Sequence, residues 1–193
     1  MDDVTAALSK IKALAAERNI RLNKVLLTGT SAGAHMSLLY AYRYADVAPI
    51  TPAAVVSFCG PTDLCNPAFI EQNALGDTAA MIGLLNQITG ITITVKEYTE
   101  QSGQYAAWRT ALQSYSPLYH VSSACAPTVL GHGMQDTIVP YTNATALDEA
   151  LTAAAVRHDF VVYPNSGHGL DQDAYAAARM YDLLVQYAQT YLK

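Results

Sequence analysis

The chain has 193 residues, of which 51% are hydrophobic and 14% charged, and its formal net charge is −5. That length suits one domain with a substantial buried core, and the composition excludes a disordered chain. An acidic balance with no Lys or Arg cluster argues against nucleic acid or an anionic membrane surface as the partner.

Met1-Asp2-Asp3-Val4 shows neither a basic nor an apolar signal region, and no apolar stretch reaches membrane-spanning length. The chain is therefore expected to be soluble, cytoplasmic as it stands and secreted if a leader has been removed. Its three cysteines cannot all pair within the chain, and none has the spacing of a metal ligand. Cys59 ends an apolar run and reads as a small buried hydrophobe; in an oxidising compartment it could instead close a short loop with Cys65.

Residues Asp3 to Asn19 read as a helix, because Val4, Ala7, Leu8, Ile11, Leu14 and Ala15 recur at steps of three and four, with Asp2 or Asp3 as its cap. A strand follows over Lys24 to Thr28. A second helix runs from Ala34 to Tyr44, with Met36, Leu39, Tyr40 and Tyr44 turned inward. Ala53 to Cys59 is nearly continuous in apolar residues, as in strands covered on both faces of a parallel sheet. From Gly60 to Ala126 the pattern changes to two helix-like pieces, about 78–88 and 104–114, between turns at Gly60-Pro61-Thr62-Asp63 and Ser116-Pro117. This is too long for a plain loop and reads as a helical cap inserted after the strand. A short strand at Pro127 to Gly131, a helix over about 142–156, a strand at Asp159 to Tyr163 and a helix over about 171–192 complete the chain. Strands alternating with helices predict one α/β domain over residues 1–193. Its sheet is doubly wound and mainly parallel, and the loops at the strands' carboxyl ends form the site.

Gly29-Thr30-Ser31-Ala32-Gly33 lies between the first strand and the helix after it. G-x-S-x-G in that setting is a nucleophile elbow: the serine sits on a strained turn with its hydroxyl held clear, and both glycines leave room around it. The first helical N–H groups, Ala32 foremost, point to where an oxyanion would form. A serine hydroxyl needs a base, and the base needs an acid to fix its tautomer. His168, on the glycine-flanked Asn165-Ser166-Gly167-His168-Gly169 loop beyond the last strand, is the expected base. His35, one turn past Ser31, is expected to be packed, or to support the site or touch substrate. His120, His132 and His158 read as surface, loop or structural residues. Asp136, in His132-Gly133-Met134-Gln135-Asp136, is the expected acid. Asp63 is its rival, although Pro61-Thr62-Asp63 reads more simply as a turn and helix cap.

Taken together, Gly29-Thr30-Ser31-Ala32-Gly33-Ala34-His35, Gly60-Pro61-Thr62-Asp63-Leu64, His132-Gly133-x-x-Asp136-x-x-Val139-Pro140 and Ser166-Gly167-His168-Gly169 resemble the esterase/lipase branch of the α/β-hydrolase fold, which includes acetyl esterases and feruloyl-esterase-like carbohydrate esterases. The resemblance implies acyl transfer from an ester to water through Ser31, His168 and Asp136, with neither metal nor cofactor. It also implies a sheet shortened at its front to about four strands, because relatives carry several strands and a His-Gly-Gly oxyanion loop ahead of the opening helix, and no Gly-Gly pair occurs here. The elbow strand then becomes a sheet edge, and a homodimer covering it is expected. The substrate is expected to be a small-acyl or aromatic-acyl ester, possibly on a carbohydrate, with Trp108 and Tyr115 either stacking on it or packing within the cap. Two other readings stand beside this one: a non-catalytic hydrolase-like module, and a peptidase or amidase on the same fold.

Overall fold

Strands of six to eight residues, rich in apolar side chains and bounded by polar turns, build the centre of the molecule. The computed structural model describes residues 1–74, 77–100 and 107–193. In it, β1 (Lys24–Thr30), β2 (Thr51–Phe58), β3 (Thr128–Gly133) and β4 (His158–Tyr163) are hydrogen-bonded in that order, each pair parallel. β3 is buried along its whole length, as an interior strand covered on both faces should be, whereas β1 is partly exposed at one edge of the sheet. The β1–β2 register slips between Val25 and Leu26, opposite Pro52, which has no N–H to give the ladder.

Helices cover both faces. α1 (Asp2–Glu17) and α2 (Ala32–Arg43) precede the insertion, which holds α3 (Pro67–Ala74), α4 (Thr78–Thr89), α5 (Val95–Glu100) and α6 (Ala107–Gln113); α7 (Thr142–Ala153) and α8 (Ala174–Tyr191) follow. On one face Leu38 and Ala41 of α2 and Leu147 and Leu151 of α7 pack on Val55 and Leu130. On the other, Ala176, Met180, Leu183 and Tyr187 of α8 pack on Ala54, Val56, Val129 and Val161, so alternate side chains of β2 feed opposite cores. The insertion has a core of its own, built on Leu64, Phe69, Ile70, Met81, Leu85, Trp108 and Leu112 and joined by Val139 from the loop after β3. Among the described residues no helix is long and apolar enough to cross a membrane.

Several expectations are corrected. Only Leu8 of the apolar side of α1 is buried, and Ile11 is exposed, because α1 meets Tyr40 and Ile50 but, among the described residues, finds no further strand beyond β1 to lie on. Asp2 and Asp3 lie inside its first turn instead of capping it; the N-cap is Met1. Met36 is exposed, not turned inward. Among the described residues the insertion contains four α-helices where two were expected, and residues 104–106 of the second expected piece lie outside the described residues. His132 is in strand β3, not in a loop. Cys59, Cys65 and Cys125 are all free thiols. Cys65 is held in the cap, its thiol donating to the Arg109 carbonyl at 3.3 Å, while Cys59 lies buried at the end of β2.

Candidate active site

Ser31 follows β1, Asp63 the end of β2, Asp136 follows β3 and His168 follows β4, so each predicted residue stands at a strand's carboxyl end. Ser31 has φ 54° and ψ −122°, left-handed backbone that costs a non-glycine residue about 1–3 kcal/mol. The turn is held because the Ser31 N–H donates to Phe58 O at 2.8 Å and Ser31 O accepts from the His35 N–H at 3.0 Å. Gly29 is required: a Cβ there would lie 2.3 Å from the backbone carbon of Gly33. Gly33 is not required on its own account, since a Cβ on it meets nothing within 4 Å; its side of the turn is open. The Ala32 N–H begins α2 and has no acceptor within its own helix.

The expected acid and the expected base are in contact. His168 Nδ1 lies 2.8 Å from Asp136 Oδ2, and the Asp136 side chain is fully buried. Burial alone would raise the pKa of this carboxyl. Hydrogen bonds from His132 and His168, and then from the Val139 and Ile138 N–H groups, outweigh burial and hold it well below the ordinary carboxylate range. An ionised carboxylate only accepts, so Nδ1 of His168 carries the proton and Nε2 is left with its lone pair. Among the described residues no hydrogen bond joins Nε2 to Ser31 Oγ. His168 instead lines a cleft of about 340 Å³ with Thr30, Phe58 and Tyr163 at strand ends and Tyr181 and Leu184 of α8.

His132 was not anticipated as part of this group. Its Nε2 lies 2.9 Å from Val139 O, to which it donates, and 3.3 Å from Asp136 Oδ2, so the Asp136 carboxylate accepts from three N–H groups and has the polar edge of His132 beside it as a fourth neighbour. The four-residue separation in His132-Gly133-x-x-Asp136 was the available signal. Cys59, His132 and Asp136 offer atoms within 4.8 Å of one another, a metal-sized cluster by distance alone. The donor set does not suit a cation: the His132 proton is committed to Val139 O, and burial pushes the Cys59 thiol up to about 12.

Asp63 makes the turn but not the cap. Its Oδ1 accepts from Cys65 N at 2.9 Å, while Asn66 accepts from Ala68 N at the start of α3. Burial raises its pKa, and it makes no hydrogen bond to a histidine. Trp108 is buried in the core of the cap against Tyr98, and Tyr115 packs on the same cluster; neither lines the cavity at Ser31. That cavity, about 450 Å³, is lined by Ser31, Ala32, His35 and Pro61, by Leu64, Phe69, Asn73 and α4 residues of the cap, and by Met36, Ile138 and Val139. The exposed side chains of Met36, Leu84, Ile88 and Ile138 all belong to it, so the serine opens onto exposed apolar surface. Burial lowers the pKa of His35, against the effect of its hydrogen bond to Pro61 O.

A family model described as BD-FAE matches residues 1–151. No curated protein matches. Among solved structures, a truncated form of a carbohydrate esterase from gut microbiota is 20% identical with a TM-score of 0.67, the alignment covering 97% of this chain and 68% of that one. A thermophilic esterase of Thermogutta terrifontis is 18% identical, TM-score 0.64, over 96% of this chain and 61% of its own. A Mycobacterium tuberculosis puromycin-hydrolyzing peptidase is 19% identical, TM-score 0.68, over 94% of this chain but 24% of its own. At these identities the structures speak to the fold, which is the same four parallel strands with flanking helices. With more than three quarters of its length matched, the chain belongs to the BD-FAE family of α/β-hydrolase esterases.

Proposed function

We propose that the protein is a serine carboxylesterase that hydrolyses esters of small or aromatic acids through an acyl-enzyme. The observation that carries this reading is the Asp136–His168 contact at 2.8 Å, with the strained Ser31 at the carboxyl end of β1, on the same end of the sheet, facing an apolar cavity. In the reaction, Ser31 Oγ attacks the ester carbonyl carbon and gives its proton to His168 Nε2. Asp136 holds the imidazole and balances the cation that forms. The carbonyl oxygen, now negative, turns to the Ala32 N–H. Collapse expels the alcohol with the proton from His168; water, deprotonated by the same nitrogen, then releases the acid and restores Ser31. The Thermogutta terrifontis esterase is known with propionate and with butyrate bound, which favours short acids here as well.

A second reading, a non-catalytic module, draws on the lack of a hydrogen bond between His168 and Ser31 among the described residues. Turnover of p-nitrophenyl acetate beside p-nitroacetanilide separates the readings. The esterase should cleave the ester, leave the anilide untouched, and lose at least about 10³-fold in kcat as Ser31→Ala or His168→Ala. Equal rates for wild type and Ser31→Ala would overturn it, and preferred anilide cleavage would make the protein an amidase.

A further inference from the structure

The cavity at Ser31 is apolar over most of its lining, yet two lining residues besides Ser31, His35 and Asn73, carry polar side-chain atoms. The hydrogen bonds of each decide what it offers a ligand. His35 Nδ1 is 2.8 Å from Pro61 O. A carbonyl oxygen only accepts, so the proton is on Nδ1 and Nε2 presents a lone pair. Asn73 Nδ2 donates to Phe69 O at 2.8 Å and to Ile138 O at 2.7 Å. Both partners are carbonyls, which fixes the amide's orientation, uses both its hydrogens and leaves Oδ1 to accept. No described lining residue is Lys, Arg, Asp or Glu. Past the serine, the side chains of this cavity offer acceptors and no donor.

We propose that His35 and Asn73 are specificity-determining residues, a pair of acceptors that selects an apolar acyl group carrying a hydroxyl and turns away one that ends in a carboxylate. The inference rests on the esterase reading for its choice of the acyl side, because the cavity opens at Ser31 and Ala32, where the ester carbonyl must sit. A hydroxyl at the right depth donates to Nε2 or Oδ1. A carboxylate meets only lone pairs and apolar carbon, and leaves its own charge without a partner.

The test is a scan of p-nitrophenyl esters of straight-chain acids in which one hydroxyl is moved along the chain, with the unsubstituted and the terminal-carboxylate ester of the same length as references. At one or two adjacent positions the hydroxyl should raise kcat/KM about five- to ten-fold over the unsubstituted ester, and the carboxylate should lower it by at least as much. His35→Leu and Asn73→Leu should each flatten the profile at the depth their acceptor serves. His35→Gln, which keeps an N–H for Pro61 O and an oxygen for the substrate, should retain it; a purely structural role would move the rates but not this ratio. A flat wild-type profile, or a preference for the carboxylate, would overturn the proposal. If no ester turns over, the esterase reading fails by itself. Calorimetry of the N-methylamides of the same acids with Ser31→Ala then decides the pocket: tighter binding of one hydroxylated isomer upholds the acceptor pair, and equal binding overturns it.

Discussion

Asp136 is the residue on which the candidate chemistry turns, because three N–H groups donate to one buried carboxylate, His132 lies 3.3 Å from it, and one of the donors is the ring of the candidate base. Asp136→Asn keeps the shape but replaces an acceptor with a group that can donate, so His168 loses its fixed tautomer; kcat should fall by about 10⁴. The same carboxylate contributes to stability. Its pKa is depressed in the folded state, so its contribution is complete above the unfolded value of about 3.9 and is lost as pH falls through the folded one. Acid titration followed by circular dichroism should show wild type losing stability below about pH 4 more steeply than Asp136→Asn, and equal slopes would contradict this assignment. That Asp136 and His168 would come together at the strand ends could be read from the sequence, because each follows a strand in the expected chain order. The place of His132 could not, since it depends on Nε2 lying near two acceptors at once, which only the folded strand and loop bring together.

The elements hold these residues through close backbone approaches that leave little trace in residue type. Gly133 ends β3, and a Cβ there would lie 2.4 Å from both Ser166 O and Gly167 O, so the loop carrying His168 rests directly on it. The Gln135 N–H donates to Ser166 O at 3.1 Å and the Met134 N–H to Tyr163 O at 2.9 Å, joining the acid and histidine loops. Gly133→Ala must push these loops apart, and thermal unfolding should begin several degrees lower, with activity falling further than stability. Gly33→Ala, with open space around its Cβ, should leave Tm within a degree or two and serves as the comparison. The four strands and their flanking helices were legible because the strands are apolar runs bounded by turn residues and the helices carry apolar residues at steps of three and four. α3 and α5 were not, being eight and six residues long in a stretch where polar and apolar residues mix. The position of Met36 was also hidden: it follows the apolar spacing of α2 but faces the cavity beneath the cap, an apolar surface of a different kind.

At the scale of the whole molecule, β1 is an edge of the sheet that pairs only with β2 among the described residues. We propose that a second copy covers this edge across a two-fold axis. Light scattering should then return twice the 20.7 kDa of one chain, and a monomer at all concentrations would contradict it. The central claim is that Ser31, His168 and Asp136 act as one unit although Ser31 and His168 are not hydrogen-bonded to each other. Labelling with a fluorophosphonate tests it most directly, because the reagent reacts only with a serine whose base can take its proton. Mass spectrometry should find one adduct, on Ser31 of the wild type, and none or nearly none on folded His168→Ala and Asp136→Asn. A folded wild-type chain that takes no label, or variants that label as fast as wild type, would contradict the account.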